Sequence, residues 1–375
     1  MLKQLKHTIR IVKRFVSHLT GLPLAMIYAP RQVLKEDSSS RCDVTRVRID
    51  DCSYSLARIR QGRLFTNRVT NISVISGNKL VPTVSWQWQD GRVLADADNF
   101  LLQGKLPIHH IPKHFNCEVV SLLTGGGGNY NYYHWLFDCL PRLYIAKPFI
   151  NVNATTKYLI PEDTLPFQRE TMEALGIPVT SRISSKEYRH LRANLLLVLS
   201  HPNPDPTAIP AWIMRFLRES FLVTSSLATT KSDFVYISRG DSVNSRRLLN
   251  ESHFSKILES IGFGIYHLSE LTFQDQVVLF SEARMIVGVH GAGFANLAFA
   301  SRGTVVYELF SDQYKPKLYE RLSALADLDY HGIICEDEEV EKPAQQANLS
   351  ISDGDIMKIL RHAEQIAAGD ASRRT

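Results

Sequence analysis

The feature that most constrains the fold is a regular alternation of short apolar runs with amphipathic segments in the second half of the chain. The runs at 234–238, 264–268, 285–289 and 304–310 are predicted strands, separated by predicted helices at 251–260, 273–283 and 292–300. Single helices between strands predict parallel βαβ units and a doubly wound sheet. Thr272 and Asp275 have the spacing of a capping box at the start of one of these helices.

The first half shows the same alternation less regularly. Strands are predicted at 119–123, 157–160 and 195–199, helices at 132–147 and 167–175, and β-rich, irregular structure over 36–110. Pro141 predicts a kink or break near Phe137, because proline interrupts the helical hydrogen-bond ladder. Three prolines within 201–206 indicate a linker. Residues 125–128 are interpreted as a flexible glycine turn, 353–366 as a closing helix ending at Gly369, and 336–341 as a solvated loop.

Positive charge is concentrated at the N-terminus. Of the 43 Lys and Arg side chains, those at 3, 6, 10, 13, 14, 31 and 35 precede the first acidic residue, and the rest are balanced by 38 Asp and Glu. A nearly neutral body argues against a nucleic-acid partner. Apolar residues at 5, 9, 12 and 16 recur at helical spacing, so residues 1–35 suit either a solvated basic arm or peripheral contact with an anionic membrane.

The same composition indicates where the chain resides. Hydrophobic residues make up 44% of it, as in folded proteins, but no run of 18 apolar residues predicts a membrane-spanning helix. The five cysteines contain no CxxC pair, which argues against a cysteine zinc site or disulfide framework and favours a reducing compartment. Gly21 and Pro23 disfavour a signal peptide. We therefore expect a cytoplasmic protein, with residues 1–35 as the candidate contact to the inner face of the membrane.

The most informative segment is 286–296. A buried strand ends at His290 and is followed by Gly291, Ala292 and Gly293 before a predicted helix. Exposed N–H groups and the positive end of a helix, at the carboxyl edge of a parallel sheet, form a phosphate site. Small side chains let a phosphate approach the backbone, and His290 adds a donor. The alternative is a tight strand-to-helix turn with a hydrogen-bonded histidine.

Charged residues follow two neighbouring strands at that edge. Arg239 comes directly after one strand, and Arg246 and Arg247 lie in the next loop. Three guanidinium groups converging on a pyrophosphate would neutralise it with bidentate hydrogen bonds, although a solvated basic loop is the alternative. Glu308, near the end of another strand, is placed to accept hydrogen bonds from ribose hydroxyls.

A third segment offers acid–base chemistry. His134, Asp138 and Arg142 are spaced to share one helical face. A carboxylate one turn from a histidine fixes its tautomer and raises its pKa, which suits a general base. The alternative is that the neighbouring aromatic residues pack in the core while His134 and Asp138 form structural hydrogen bonds. The Asp-x-Asp pairs at 96/98, 327/329 and 353/355 are weak evidence for metal, and we expect no metal site.

These segments together resemble glycosyltransferase family 61. The motifs are Tyr133-His-Trp-x-x-Asp138-x-x-Pro-Arg142, Ser238-Arg239 with Arg246-Arg247-x-x-Asn250-Glu251, Gln276, and Val287-Gly-x-His-Gly-Ala-Gly-x-x-Asn296. They occur in the family's order within about residues 117–330. The family includes bacterial capsular polysaccharide biosynthesis proteins, plant xylan-modifying transferases and animal O-linked N-acetylglucosamine transferases. One departure is Phe294-Ala295, where Leu-Thr is frequent, and it bears on base and sugar contacts.

The resemblance implies an α/β, GT-B-like fold, with two Rossmann-like domains facing a cleft and a β-rich N-terminal segment. It also implies inverting transfer of a hexosyl or pentosyl group, without an essential metal or cofactor, from a nucleotide-sugar donor, a UDP-sugar, to a glycan or polysaccharide hydroxyl. We expect a basic arm at 1–35, an acceptor-side domain at 36–206, a donor domain at 207–345 and a closing helix at 346–375.

The expected roles follow the motifs. The catalytic residues are Asp138, His134 and His290, with the choice of base between Asp138 and His134 open. The donor residues are Arg239, Arg246, Arg247, Gly291, Ala292, Gly293, Asn296 and Glu308, and the acceptor-side residues are Tyr133, Trp135 and Arg142. Two rival functions are a non-catalytic protein that binds nucleotide sugar or polysaccharide, and a glycan phosphotransferase.

Overall fold

The computed structural model describes residues 24, 26–35, 39–89, 92–93, 99, 101–102, 110–151, 155–203, 208–222, 232–240, 246–337 and 346–371. The predicted amphipathic pattern over 5–16 lies outside these residues. The chain divides between Pro204 and Asp205 into two compact units, and strands and helices occur in both, so the predicted α/β class is confirmed. Among the described residues, no helix combines the length and the apolarity needed to cross a membrane.

The N-terminal unit contains a twelve-stranded mixed sheet. Its strands are β1 Gln32–Val33, β2 Cys42–Ile49, β3 Cys52–Arg60, β4 Arg63–Thr66, β5 Asn71–Ser76, β6 Lys79–Leu80, β7 Trp86–Gln89, β8 Arg92–Val93, β9 Lys113–Ser121, β10 Thr156–Ile160, β11 Arg182–Ser184 and β12 His190–Leu199. Strands β12, β9, β10 and β11 are parallel neighbours. Strands β3 and β4 pair antiparallel with β12. The β-rich segment therefore extends the same sheet, and the unit is more mixed than the predicted Rossmann-like domain.

Short helical segments follow the parallel strands of this unit. They are α1 Gly127–Tyr130, α2 Tyr132–His134, a π-helical turn Trp135–Cys139, α3 Pro141–Ala146 and α4 Pro166–Ala174. The break that Pro141 predicts is confirmed, because the N–H of Leu140 donates to the carbonyl of Trp135, five residues back, at 3.0 Å. Proline has no N–H to continue the α-helical ladder, and the wider turn accommodates it.

The C-terminal unit contains a six-stranded sheet. Its strands are β13 Phe234–Ile237, β14 Gly264–Tyr266, β15 Met285–Val289, β16 Val305–Ser311, β17 Asp329–Asp337 and β18 Leu349–Ser350, and its helices are α5 Ala211–Phe221, α6 Glu251–Ser260, α7 Phe273–Glu282, α8 Leu318–Leu325 and α9 Asp353–Ala371. The order is β14-β13-β15-β16-β17-β18, parallel except for β18. This is the doubly wound order whose ligand site lies between the first and third strands, here β13 and β15.

Several local predictions are settled in this unit. Thr272 caps α7, with the Asp275 N–H donating to Thr272 Oγ1 at 3.1 Å, but the Asp275 carboxylate accepts from the Thr272 hydroxyl at 2.6 Å rather than from the backbone N–H that a capping box uses. The segment predicted as an α-helix over 292–300 is a 3₁₀ helix, Ala292–Phe299. Helix α9 continues to Ala371, so Gly369 does not end it, and Glu336 and Asp337 belong to β17 rather than to a loop. One hydrophobic cluster of this unit lies between the sheet and helices α6 and α9.

Candidate active site

The carboxyl edge of β13 and β15 brings two arginines onto one backbone oxygen. Arg239 follows β13 by two residues, and His290 directly follows β15. Arg239 Nη1 donates to the carbonyl of His290 at 3.1 Å, and Arg246 Nη1 donates to the same oxygen at 2.9 Å. Because ligands of doubly wound sheets bind at this edge, two positive charges stand where an anionic ligand would be bound.

Packing inside the protein explains the glycines of the 291–293 turn, whereas the sequence predicts them from the close approach of a phosphate. A Cβ on Gly291 would lie 1.7 Å from Arg239 Nη1, and a Cβ on Gly293 would lie 2.5 Å from Leu268 Cδ1. Gly291 has an extended φ of 178°, which any residue adopts. A side chain at 291 would therefore displace the guanidinium that crosses this residue. Gly291, Ala292 and Gly293 are half-buried and remain accessible at the edge.

The ring of His290 is held from behind by a buried carboxylate. His290 Nδ1 is hydrogen-bonded to Glu308 Oε1, and Tyr330 donates its hydroxyl to Glu308 Oε2 at 2.7 Å. Burial, together with the charge of Glu308, raises the pKa of Tyr330, so its hydroxyl stays a donor. Glu308 is fully buried with both oxygens engaged. This carboxylate therefore orients His290, and its predicted contact with ribose stays a prediction.

The two arginines of the following loop separate. Arg246 is 8% exposed, and its guanidinium lies 4.9 Å from the ring centre of Tyr314. Its backbone φ of +131° is strained for a residue with a side chain, as is frequent at functional sites. Arg247 is exposed, and its backbone N–H donates to Asn348 Oδ1 at 2.9 Å. The structure therefore brings two of the three predicted guanidinium groups together.

Asn296 is predicted to contact the donor. Its side chain is fully buried, and Nδ2 donates to Gln276 Oε1 at 3.0 Å and to the carbonyl of Gly293 at 3.1 Å. Gln276 in turn donates to the carbonyl of Leu268 at 2.9 Å. A buried amide with these partners fixes the 291–293 turn onto α7, and the predicted contact of Asn296 with the donor stays a prediction.

The N-terminal unit holds a second imidazole–carboxylate pair, on the π-helical turn. His134 Nδ1 lies 2.6 Å from Asp138 Oδ2, and the side chains are 43% and 6% exposed, respectively. A Cβ on Gly127 would lie 2.6 Å from His134 Cδ2, so the glycine run predicted as a flexible turn packs against this ring. The accessible imidazole and the enclosed carboxylate form the arrangement that the i, i+4 spacing predicted.

The three predicted acceptor-side residues are packing residues in this unit. Trp135 is fully buried, and its Nε1 donates to Thr171 Oγ1 at 2.9 Å. Tyr133 is 7% exposed and stacks on Phe137. Arg142 is buried and donates to the carbonyls of Asp138 and Leu199, at 3.0 and 2.7 Å. These side chains have little exposed surface, and their predicted role toward an acceptor stays a prediction.

Sequence reasoning missed His201. Its Nε2 lies 3.8 Å from Asp138 Oδ2 and 3.1 Å from Thr124 Oγ1. His201 follows β12 by two residues, and Thr124 follows the neighbouring parallel strand β9 by three. The carboxyl ends of adjacent parallel strands meet at one sheet edge. The positions of His201 and Thr124 just after two predicted strands are therefore the sequence signal that indicates their proximity.

The protonation states of His134, Asp138 and His201 follow from their contacts. Burial raises the pKa of Asp138, but the hydrogen bond from His134 and the positive charges around it outweigh burial, so the pKa lies below its ordinary range. Burial lowers the pKa of His134, and its bond to Asp138 reverses this, so the pKa lies above 6.5. Burial also lowers the pKa of His201. Near neutrality Asp138 is ionised and His201 is neutral.

Comparison with known proteins places His134, Asp138 and His290 in one matched region, which ends one residue before Glu308. Residues 132–307 match the model of a family described as Glycosyltransferase 61. A beta-1,2-xylosyltransferase of Arabidopsis thaliana is 28% identical over 93 residues, and the chain spans only 17% of that protein's length with 25% of its own. The resemblance predicted from the motifs is confirmed over residues 132–307.

Proposed function

We propose that this protein is an inverting glycosyltransferase that moves a sugar from a nucleoside-diphosphate donor, a UDP-sugar, to a hydroxyl of a glycan or polysaccharide. The observation that carries the proposal is the convergence of Arg239 and Arg246 on the carbonyl of His290. It lies at the ligand-binding edge of a doubly wound sheet and within the region matched to the family. A diphosphate is the ligand whose charge these two guanidinium groups complement.

The C-terminal unit would stabilise the leaving group. Each guanidinium offers five N–H donors in a planar fork. Arg239 and Arg246 would bind the diphosphate oxygens, with the half-buried Gly291–Gly293 turn beside them. Fixed donors at developing charge contribute about 3 kcal/mol each to transition-state stabilisation. His290 acts mainly as a positioning residue, because its carbonyl holds both arginines and its ring is held by Glu308.

The N-terminal unit would supply the base. His134 is the accessible member of its pair, whereas Asp138 is enclosed and already bonded to Nδ1. Nε2 of His134 would take the proton of the acceptor hydroxyl as its oxygen bonds to the anomeric carbon. The carbon–oxygen bond to the diphosphate breaks, and its electron pair leaves with the diphosphate. Asp138 fixes the tautomer and stabilises the imidazolium that forms.

The proposal assigns the leaving diphosphate to the C-terminal unit and the acceptor proton to the N-terminal unit, and it retains the GT-B fold that the family resemblance implies. It retains transfer without an essential metal or cofactor, since the two guanidinium groups provide positive charge for the leaving diphosphate. It also retains a cytoplasmic location, with the basic residues 1–35 as the contact to an anionic membrane. The excess of lysine and arginine in that segment supports this part.

Incubation with a panel of labelled UDP-, GDP- and dTDP-sugars tests the activity. Slow donor hydrolysis that releases nucleoside diphosphate is expected, and transfer product is expected when a suitable glycan acceptor is added. Arg239→Ala should lower this rate by about 100-fold or more, and Arg247→Ala should leave it within about twofold. Tight donor binding without release would favour a binding protein. Release of nucleoside monophosphate would favour a phosphotransferase, and a native rate in Arg239→Ala would contradict the assigned site.

A further inference from the structure

A second cluster of ligating side chains lies in the C-terminal unit, away from the arginines. Asp329, His331 and His362 each place one ligand atom within 4.8 Å of the others. Asp329 and His331 alternate along the start of β17 and therefore face the same side of the sheet. His362 belongs to α9, which packs on the sheet. We propose that these three residues bind a zinc ion that ties α9 to β17.

The distances suit zinc coordination. His331 Nε2 lies 3.1 Å from Asp329 Oδ1, and His362 Nε2 lies 4.0 Å from Asp329 Oδ2. Zinc bonds to imidazole nitrogen and carboxylate oxygen at about 2.0–2.2 Å, so neighbouring ligand atoms of a tetrahedral site are roughly 3.4 Å apart. The two observed distances, one to each oxygen of the Asp329 carboxylate, bracket this value. Two imidazoles and one carboxylate leave the fourth position to water, as zinc sites with three protein ligands do.

An independent observation points to a cation here. Nε2 of His331 is buried and has no hydrogen-bond partner among the residues that the structure describes, although Asp329 Oδ1 is 3.1 Å away. When Nε2 carries the lone pair and Nδ1 the proton, a carboxylate at this distance is electrostatically unfavourable. A divalent cation between the two atoms would bind both. The exposed fractions, 54% for Asp329 and 24% for the side chain of His362, leave a path from solvent.

Tyr307 is placed to orient both imidazoles. Its hydroxyl lies 3.1 Å from His362 Nδ1, and its ring stacks on that of His331 with centres 4.7 Å apart. When Nδ1–H donates to the Tyr307 oxygen, the lone pair of His362 Nε2 is left toward Asp329. Metal-ligating histidines characteristically donate their other ring N–H in this way, and the partner sets the tautomer.

The site is separate from the donor edge. His290 follows Val289, which pairs with Leu309, and Leu309 pairs with Ile333 in β17. Asp329 precedes Ile333 by four residues, which is roughly 13 Å along the strand at 3.3 Å per residue. Zinc at this place would hold α9 on the sheet, and the sugar-transfer proposal does not depend on it.

Calorimetric titration of the EDTA-treated full chain with zinc chloride tests the site. We expect one zinc ion per chain, no heat with magnesium chloride, and a higher melting temperature with zinc. His362→Gln and His331→Gln should weaken zinc binding by at least about 100-fold, and Tyr307→Phe, which keeps the ring, by about tenfold. His253→Gln, an exposed histidine on α6, is the control and should bind zinc as the native chain does.

Two results would overturn the proposal. One is a native chain that binds no zinc. The other is zinc affinity in His362→Gln and Tyr307→Phe equal to that of His253→Gln, which would place any bound zinc elsewhere. Circular dichroism of each variant without zinc shows whether it is folded, and Tyr307→Phe tests the site if a histidine variant unfolds. UDP binding is expected to be unchanged in all of them, so failure here and failure of the transferase assignment are distinguishable.

Discussion

Each unit pairs an imidazole Nδ1 with a carboxylate, and the two pairs differ in exposure. The side chain of His134 is 43% exposed beside an enclosed Asp138 on the same helical segment. The side chains of His290 and Glu308, on neighbouring strands, are 9% and 0% exposed. An accessible imidazole can exchange a proton with a bound hydroxyl. An enclosed one is suited to holding its neighbours, and His290 holds two arginines through its carbonyl.

The largest expected effect is a loss of transfer activity in His134→Gln, which tests whether the accessible pair His134–Asp138 is catalytic or only structural. His134→Gln removes the base, and kcat for transfer should fall by about 100- to 10,000-fold while the fold is retained. Steady-state rates measured with donor and acceptor test this. His114→Gln, an exposed histidine on β9, is the control. A native kcat in His134→Gln would remove His134 from the reaction and make the two pairs alike.

The next largest effect concerns Arg239 and Arg246, which donate hydrogen bonds to the carbonyl of His290. Gly291→Ala should weaken UDP binding by about tenfold to 100-fold, because the new Cβ would occupy the place of the Arg239 guanidinium, 1.7 Å from Nη1. Gly240→Ala is the control, since the atom nearest its Cβ would be at an ordinary 3.4 Å. Calorimetry with UDP measures both variants. Equal affinities would show that Arg239 does not contact the nucleotide.

The pH dependence of transfer distinguishes the pairs without mutation. His134 must be neutral to accept a proton, and its pKa lies above 6.5. The rate should therefore rise about tenfold per pH unit below that pKa and level off above it. The stability that protonated His134 contributes is full below pH 6.5 and lost as pH rises through the folded-state pKa. Rate profiles show the first effect, and denaturant midpoints compared with those of His134→Gln show the second. A rate flat from pH 5 to 8 would contradict the assigned base.

The smallest effect is expected at Glu308, the carboxylate that is hydrogen-bonded to His290. Glu308→Gln keeps the shape but replaces an ionised acceptor of two hydrogen bonds, so the free energy of unfolding should fall by about 1–3 kcal/mol. Transfer should fall only several-fold, because Glu308 acts through His290. Urea unfolding and kinetics, compared with those of the exposed variant Glu259→Gln on α6, measure both quantities. A loss of activity as large as that of His134→Gln would make Glu308 a direct participant.

Local sequence signals predicted what depends on near neighbours. The bond of His134 to Asp138, the break before Pro141 and the Thr272–Asp275 cap each lie within one or two turns, and each is observed. Strands β13 to β16 were predicted for the same reason, since apolar runs between helices carry their own pattern.

The remainder depends on partners distant in sequence. The Tyr330 hydroxyl reaches Glu308 only through the register of β16 with β17, and His201 reaches Asp138 only because β12 lies beside β9. Strand β17 has a polar sequence that does not indicate a strand, and it forms through its hydrogen bonds to β16. The Asp-x-Asp pair that ends at Asp329 is weak evidence for a metal site in the sequence alone. Its histidine partners meet it through the pairing of sheet and helix.

The most direct test of the account compares two adjacent arginines that carry the same charge. Arg246 is buried against His290, and Arg247 is exposed. Both alanine variants change the net charge equally, so a difference between them reports position alone. Calorimetry with UDP should give about 100-fold weaker binding for Arg246→Ala and binding within about twofold of native for Arg247→Ala. Equal affinities in the two variants would contradict a diphosphate site at the carboxyl edge of β13 and β15.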